Sequence, residues 1–141
     1  MGAHVFALAF AFALAMPIGW DREKRARSAG LRTFPLVALA SCAFIQASES
    51  LLAHTPDGMA KVIEGLITGI GFIGGGAILK QGNSVQGTAT AASLWATGAI
   101  GVSVGLGSYD VAVTIAGFTF LTLRLLTAIK EENSPAEAKS D

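Results

Sequence analysis

The stretch GIGFIGGGAIL, from Gly69 to Leu79, decides between a soluble nucleotide-binding fold and a bundle of membrane helices. Gly69, Gly71 and Gly74 match the G-x-G-x-x-G spacing of a dinucleotide-binding turn. That turn requires a preceding strand and an acidic residue about 20 positions further on, but the next acidic residue after this stretch is Asp110. The nucleotide-binding interpretation therefore fails on context, and we interpret the glycines as helix-packing positions.

The composition favours a membrane protein. The chain has 141 residues, of which 52% are hydrophobic and 14% are charged, and its mean hydropathy is +0.56. Average soluble domains carry about 25% charged residues, so this chain has too few to cover a soluble surface. The formal net charge is zero, which predicts no general attraction to nucleic acid. The single cysteine, Cys42, excludes a disulfide within the chain.

Five apolar stretches follow one another with short polar connections. Each has roughly 18–21 residues, which at about 1.5 Å per residue approaches the thickness of a bilayer's hydrocarbon core. They cover residues 3–20, 33–53, 62–79, 88–108 and 111–129. We therefore predict an all-α membrane protein in which residues 1–130 form a bundle of about five transmembrane helices. The polar residues 131–141 are predicted to be a disordered tail.

The basic residues predict an orientation in the membrane. Nine of the ten Lys and Arg residues fall on one side of the predicted bundle, and Lys61 falls on the other. The positive-inside rule places the first and third connections and the C-terminus in the cytoplasm, with the N-terminus outside. No basic residue precedes the first apolar stretch, so we interpret it as a retained helix and not as a cleaved signal peptide.

Small residues recur along the third and fourth apolar stretches at helical spacings. In lipid, helices associate through close backbone contact, which small residues allow. We predict that the third and fourth helices form a tightly packed hairpin and that glycine-faced helices also support a homo-oligomer. The predicted packing positions are Gly65, Gly69, Gly71, Gly75, Gly98, Gly101 and Gly105.

Three blocks of this sequence resemble the MgtC/SapB family of bacterial inner-membrane proteins. They are IGWDREKRARSAGLRTFPLVAL at 18–39, ITGIGFIGGGAILKQG at 67–82, and VQGTATAASLWATGAIGVSVGLG at 85–107. The blocks occur in the family's order and span most of the predicted membrane region. There are departures: Asp21 stands where many members have Glu, and Gln86 and Ala89 replace basic and Thr or Asn residues.

The resemblance implies a multi-pass protein of the bacterial inner membrane that functions in adaptation to low magnesium. It implies action through another membrane protein and no settled molecular activity. The sequence contains no evident pairing of a nucleophile with a base, so we expect no enzymatic activity. The alternative is a small transporter or channel for Mg²⁺ or another ion.

Polar residues cluster between the first and second helices, where they have two open interpretations. Exposed basic residues there set membrane topology, which suffices for Lys24, Arg25 and Arg27. For the others, a structural and a functional role are both open, and the resemblance favours the functional role. In the structural role, an ion pair between Asp21 and Arg32 could join the two helix ends, worth about 1 kcal/mol if exposed. The predicted functional cluster is Asp21, Arg22, Glu23, Arg32 and Thr33.

Two further groups of polar residues are candidates. Glu49, Asp57 and Glu64 are predicted near the outer surface, where three carboxylates could bind Mg²⁺. The simpler interpretation, which we favour, is that they reach interfacial water; no metal or other cofactor is therefore assigned. The connection before the fourth helix offers side chains that could cap this helix or recognise a partner. These are Asn83, Ser84, Thr88 and Thr90.

Overall fold

The computed structural model describes residues 2–25, 28–52, 55–82 and 84–133. Its five helices confirm the predicted all-α bundle. They are α1 (Gly2–Lys24), α2 (Thr33–Leu52), α3 (Pro56–Gly76), α4 (Thr88–Gly105) and α5 (Tyr109–Asn133). Helix α5 extends three residues into the stretch that was predicted to be a disordered tail, and residues 134–141 of that stretch lie outside the described residues.

Within the described residues, three helices are long and apolar enough to cross a membrane. Their spans are Gly2–Lys24, Asp57–Gly76 and Tyr109–Leu126, and the apolar part of α2, Thr33–Glu49, is shorter. Large apolar side chains on the outside of the bundle, such as Phe72 at 85% exposure, suit contact with lipid. Fully buried side chains, among them Ile18, Phe34 and Leu94, form the core where α1, α2 and α4 meet.

Helix α4 is the central helix of the bundle, since it contacts α1, α2, α3 and α5. It also carries buried polar side chains, and two of them bond to its own backbone. The Ser93 hydroxyl donates to the Thr90 carbonyl at 2.9 Å, and the Thr97 hydroxyl donates to the Ser93 carbonyl at 2.7 Å. Because these groups are satisfied within the helix, α4 can be buried among apolar neighbours without a polar partner.

Three glycines of α4 lie against neighbouring helices. A Cβ atom at Gly101 would stand 2.7 Å from Cβ of Ser41 and still closer to the Ala38 carbonyl. A Cβ atom at Gly105 would stand 2.7 Å from Cβ of Ile45. Gly98 receives the Ile70 side chain of α3 in the same way. The missing side chains therefore bring the α4 backbone close to α2 and α3.

The glycines predicted on α3 do not make the corresponding contact. All four are exposed, and a Cβ atom on any of them would meet nothing within 4 Å; they are Gly65, Gly69, Gly71 and Gly75. Helix α3 meets α4 instead through Ile70 and Gly74, where a Cβ would lie 3.4 Å from the Ala91 carbonyl. The prediction that these four glycines pack within the chain is wrong, because their spacing identifies stripes on α3 but not which stripe faces α4.

The connection between α3 and α4 is a β-hairpin, which was not predicted from the sequence. Strand β1 (Leu79–Gln81) pairs antiparallel with β2 (Ser84–Gln86), and Gly82 turns with φ of 58°. Gly87 then occupies the N-cap of α4 with φ of 90°, and a Cβ atom at this position would collide with the Ala77 carbonyl and stand 3.2 Å from Cα of Ile78. Only glycine fits both conditions.

The predicted cap of α4 is wrong for the residues that the structure describes. Gly87 occupies the N-cap position and no side chain caps this helix end. Ser84 lies in β2, Thr88 is exposed in the first turn, and Thr90 is buried within α4. Asn83 lies outside the described residues.

We predict opposite effects of Gly→Ala substitutions at Gly101 and Gly117. Gly101→Ala should lower the midpoint of thermal unfolding in detergent, because overpacking a tight site costs about 1–3 kcal/mol. Gly117→Ala is the matched control, because Gly117 is exposed on α5 and a Cβ atom there would meet nothing within 4 Å. It should be neutral or stabilising by up to about 1 kcal/mol through helix propensity. Equal midpoints for wild type and Gly101→Ala would contradict the close contact between α4 and α2.

Candidate functional site

The segment between α1 and α2 folds back over the end of α1. We call residues 21–33 the α1–α2 junction; positions 26 and 27 lie outside the described residues. At Gly19, a Cβ atom would stand 3.2 Å from Cα of Leu31 and 3.3 Å from the Gly30 carbonyl oxygen. That carbonyl accepts the first backbone N–H groups of α2, from Thr33 at 3.0 Å and Phe34 at 3.2 Å. Gly19 therefore allows the loop to approach, and the Gly30 carbonyl starts α2.

A buried ion pair lies at the end of α1. Asp21 is 4% exposed and Arg22 is 2% exposed. The Arg22 guanidinium donates to Oδ2 of Asp21 through Nε, at 3.1 Å, and also through Nη2. Arg25 approaches the other oxygen, with Nε 3.4 Å from Oδ1. Both oxygens of one buried carboxylate are thus bonded to guanidinium groups, which compensates the cost of burying the charge.

Glu23 holds the returning loop. Its Oε2 accepts a hydrogen bond from the backbone N–H of Leu31 at 2.9 Å. The carboxylate lies so close to Gly30 that a Cβ atom there would collide with Oε2. The pairing of Glu23 with a glycine at position 30 therefore fixes the course of the junction.

The junction is also bonded to the end of α3. The hydroxyl of Ser28 donates to the carbonyl oxygen of Ala77 at 3.0 Å. Ala77 is buried at the C-cap of α3, and the backbone of Gly87 lies against the same carbonyl. The α1–α2 junction, the end of α3 and the start of α4 therefore meet around one carbonyl group.

The predicted cluster is only partly assembled. Asp21, Arg22 and Glu23 lie in the junction's contact network, but the predicted Asp21–Arg32 ion pair is absent, since Asp21 bonds to Arg22 and Arg25. Arg32 is exposed and makes no hydrogen bond or ion pair with any residue that the structure describes. Thr33 is half-buried at the first position of α2.

Sequence reasoning missed Arg25, Ser28 and Ala77. The signal for Arg25 was present: Asp21 and Arg25 are four residues apart on one helix, a spacing that places the two side chains side by side. No local pattern indicated the Ser28–Ala77 bond, which joins positions 49 residues apart.

The three predicted cation-binding carboxylates are not brought together. Glu49, Asp57 and Glu64 are all exposed, and within the described parts of the chain no three His, Cys, Asp or Glu side chains are grouped to hold a metal ion. Helix geometry explains this: Asp57 lies in the first turn of α3, and Glu64 lies two turns, about 10 Å, further along the same helix.

A groove of about 640 Å³ lies between α2 and α3. We call it the α2–α3 groove. Arg32 and Thr33 line one end, Phe44 and Val62 line the other, and Arg32 is the only charged residue of the lining. The remaining lining residues are apolar or small: Leu36, Val37, Ala40, Ser41, Gly65, Leu66, Gly69, Ile70 and Ile73.

Comparison with known proteins identifies the family. The sequence profile of the MgtC family matches residues 8–132 of the chain. The chain belongs to the MgtC family. Protein MgtC of Salmonella typhimurium (strain LT2) is 39% identical over 113 residues, which are 80% of this chain and 48% of that protein. Protein MgtC of Brucella abortus (strain 2308) is 40% identical over 125 residues, 88% of this chain and 52% of that protein.

The chain spans about half the length of the curated MgtC relatives that it matches. No solved structure matches it. Family membership and the three candidate membrane-spanning helices together establish a membrane protein of the MgtC type.

We predict that Asp21→Asn destabilises the bundle strongly, because it leaves the buried Arg22 guanidinium without its counter-charge. Removing one partner of a buried pair costs about 3–5 kcal/mol. Thermal unfolding in detergent would measure the loss. Glu49→Gln, which neutralises an exposed carboxylate of α2, is the control and should leave the midpoint unchanged. If Asp21→Asn unfolded at the wild-type temperature, Asp21 would not be compensating a buried charge.

Proposed function

We propose that this chain is a non-enzymatic, multi-pass inner-membrane protein that functions in adaptation to low magnesium through helix contacts with a membrane-protein partner or a second copy. Membership of the MgtC family supports the cellular role. One structural observation supports action by contact: α3 presents a stripe of small and polar residues that nothing in the described chain covers.

This stripe, which we call the α3 outer face, consists of Glu64, Thr68, Gly71 and Gly75. The spacings of four, three and four residues place all four on one side of α3. All four are exposed, and a Cβ atom at either glycine would meet nothing within 4 Å. The face lies within the candidate span Asp57–Gly76.

A polar and small-residue face suits another membrane helix better than lipid. A carboxylate within a span is costly to expose to hydrocarbon and normally faces protein or water. Glycines let a second backbone approach closely, and a Thr hydroxyl or a carboxylate can bond across the contact. The Thr68 hydroxyl already donates to the Glu64 carbonyl, so the Glu64 side chain is the group that needs a partner.

The distribution of basic residues supports the orientation with the N-terminus outside. The α1–α2 junction carries Arg22, Lys24, Arg25 and Arg32, and the hairpin at the same end of the bundle carries Lys80. The positive-inside rule assigns that end to the cytoplasm. A partner that shifts α3 would then act on the charged cytoplasmic junction through the Ser28–Ala77 bond.

We expect the α3 outer face to form a contact between copies of the chain. A Gly71→Cys variant in a Cys42→Ser background should yield a disulfide-linked dimer when native membranes are oxidised, because Gly71 lies at the centre of the face. Gly117→Cys, at an exposed and open position of α5, is the control and should stay monomeric. Equal dimer yields from both positions would indicate random collision and contradict the contact.

We also expect the α3 outer face to be required for growth at limiting magnesium. In a strain that lacks the protein, Glu64→Gln and Gly71→Leu should fail to restore growth, whereas Gly117→Leu should restore it. Immunoblots of membranes would establish equal amounts of each variant. Full rescue by both α3 variants would contradict the proposal. If the wild-type protein carried magnesium into proteoliposomes and Glu64→Gln abolished this flux, the result would instead support a transporter.

A further inference from the structure

The length of the α2–α3 groove matches one leaflet of a bilayer. Along α2 the lining extends from Thr33 to Phe44, and along α3 from Ile73 back to Val62. Each run covers eleven residue steps, or about 17 Å at 1.5 Å per residue. The hydrocarbon core is about 30 Å thick, so the groove extends from one surface to about the midplane.

The groove has one cation at its surface end and apolar walls elsewhere. Arg32 is exposed there and makes no hydrogen bond or ion pair with any described residue, and no carboxylate joins it in the lining. An unpaired guanidinium binds phosphate oxygens well, because its planar group donates two parallel hydrogen bonds. The groove therefore combines an anion site at the membrane surface with an apolar cleft that extends into the hydrocarbon core of the bilayer.

The room in the groove comes from two glycines of α3. Gly65 and Gly69 line it, and a Cβ atom at either position would meet nothing within 4 Å. A side chain at either position would begin in open space and extend into the groove. The groove can therefore be narrowed by substitution while the fold is kept.

We propose that the α2–α3 groove binds one anionic diacyl phospholipid, with its phosphate at Arg32 and an acyl chain lying along Gly65 and Gly69. A second transmembrane helix fits less well, because it would be about 30 Å long and the groove is about half that length. Arg32 has no ion-pair partner among the described residues, which favours an anionic headgroup over a zwitterionic one. This site lies on a different side of α3 from the α3 outer face.

Native mass spectrometry of the full chain, delipidated in detergent, tests the site with dioleoylphosphatidylglycerol and dioleoylphosphatidylcholine as probes. Wild type should retain one phosphatidylglycerol at concentrations where phosphatidylcholine gives little adduct. Arg32→Gln should weaken phosphatidylglycerol binding about fivefold, the effect of one basic residue at an anionic surface. Gly65→Leu and Gly69→Leu should weaken it at least as much, because they fill the acyl-chain path. Glycerol 3-phosphate, which lacks acyl chains, should not bind.

Two control variants make the same chemical change at positions outside the α2–α3 groove. Arg124→Gln removes an exposed arginine of α5, and Gly71→Leu adds the same side chain on the other side of α3. Both should bind phosphatidylglycerol within about twofold of wild type. Equal retention of the two lipids by every variant would reduce the groove to ordinary lipid contact and overturn the proposal. If Gly69→Leu lost a dimer and kept its lipid, the groove would be assigned to a second copy of the chain. That result would also overturn the proposal.

Discussion

The bundle depends on the close approach of the α4 backbone to α2. In lipid, apolar surface alone drives helices together only weakly, so association relies on packing contacts at short range. Gly101 and Gly105 allow these contacts because a side chain at either position would overlap Ala38, Ser41 or Ile45 of α2. Since α4 contacts the four other helices, its position against α2 determines where they can pack. The arrangement of the helices therefore depends on the absence of side chains at Gly101 and Gly105.

Several polar groups inside the bundle obey a second constraint, because they find their partners close by in the chain. The hydroxyls of Ser93 and Thr97 bond to carbonyls of α4 itself, and Asp21 is bonded to arginines one and four residues away. Local partners avoid the cost of an unsatisfied polar group where water is scarce. They also leave the longer-range polar contacts, Glu23 with Leu31 and Ser28 with Ala77, at the end of the bundle.

The sequence allowed the helices to be predicted but not the face that α3 turns toward α4. Helix number follows from hydropathy and length, which depend on bilayer thickness and on no tertiary contact. Glycine spacing is similar on α3 and α4, yet Gly101 is buried and Gly71 is exposed, because spacing defines a stripe and neighbours decide what covers it. The Asp21–Arg25 pair was accessible to helix geometry, whereas Arg32 was assigned to Asp21 on proximity alone. The hairpin was missed since its strands have only three residues each.

Helix α3 is the element through which these features are connected. In the most apolar 18-residue stretch of α3, 11% of the residues are buried, against 28% in that of α1. Most of the surface of α3 is therefore available to lipid or to another helix. At its C-terminal end Gly74 meets Ala91 and the Ala77 carbonyl accepts the Ser28 hydroxyl, and at its N-terminal end Gly58 lies against Leu52 of α2. Between these two ends α3 has the α2–α3 groove on one side and the α3 outer face on the other. Under the proposals made above, a lipid in the α2–α3 groove and a helix on the α3 outer face would contact the same helix from two sides. The C-terminal end of this helix is bonded to the charged α1–α2 junction through Ser28 and Ala77, so both occupants would act on an element that connects the membrane interior with its surface.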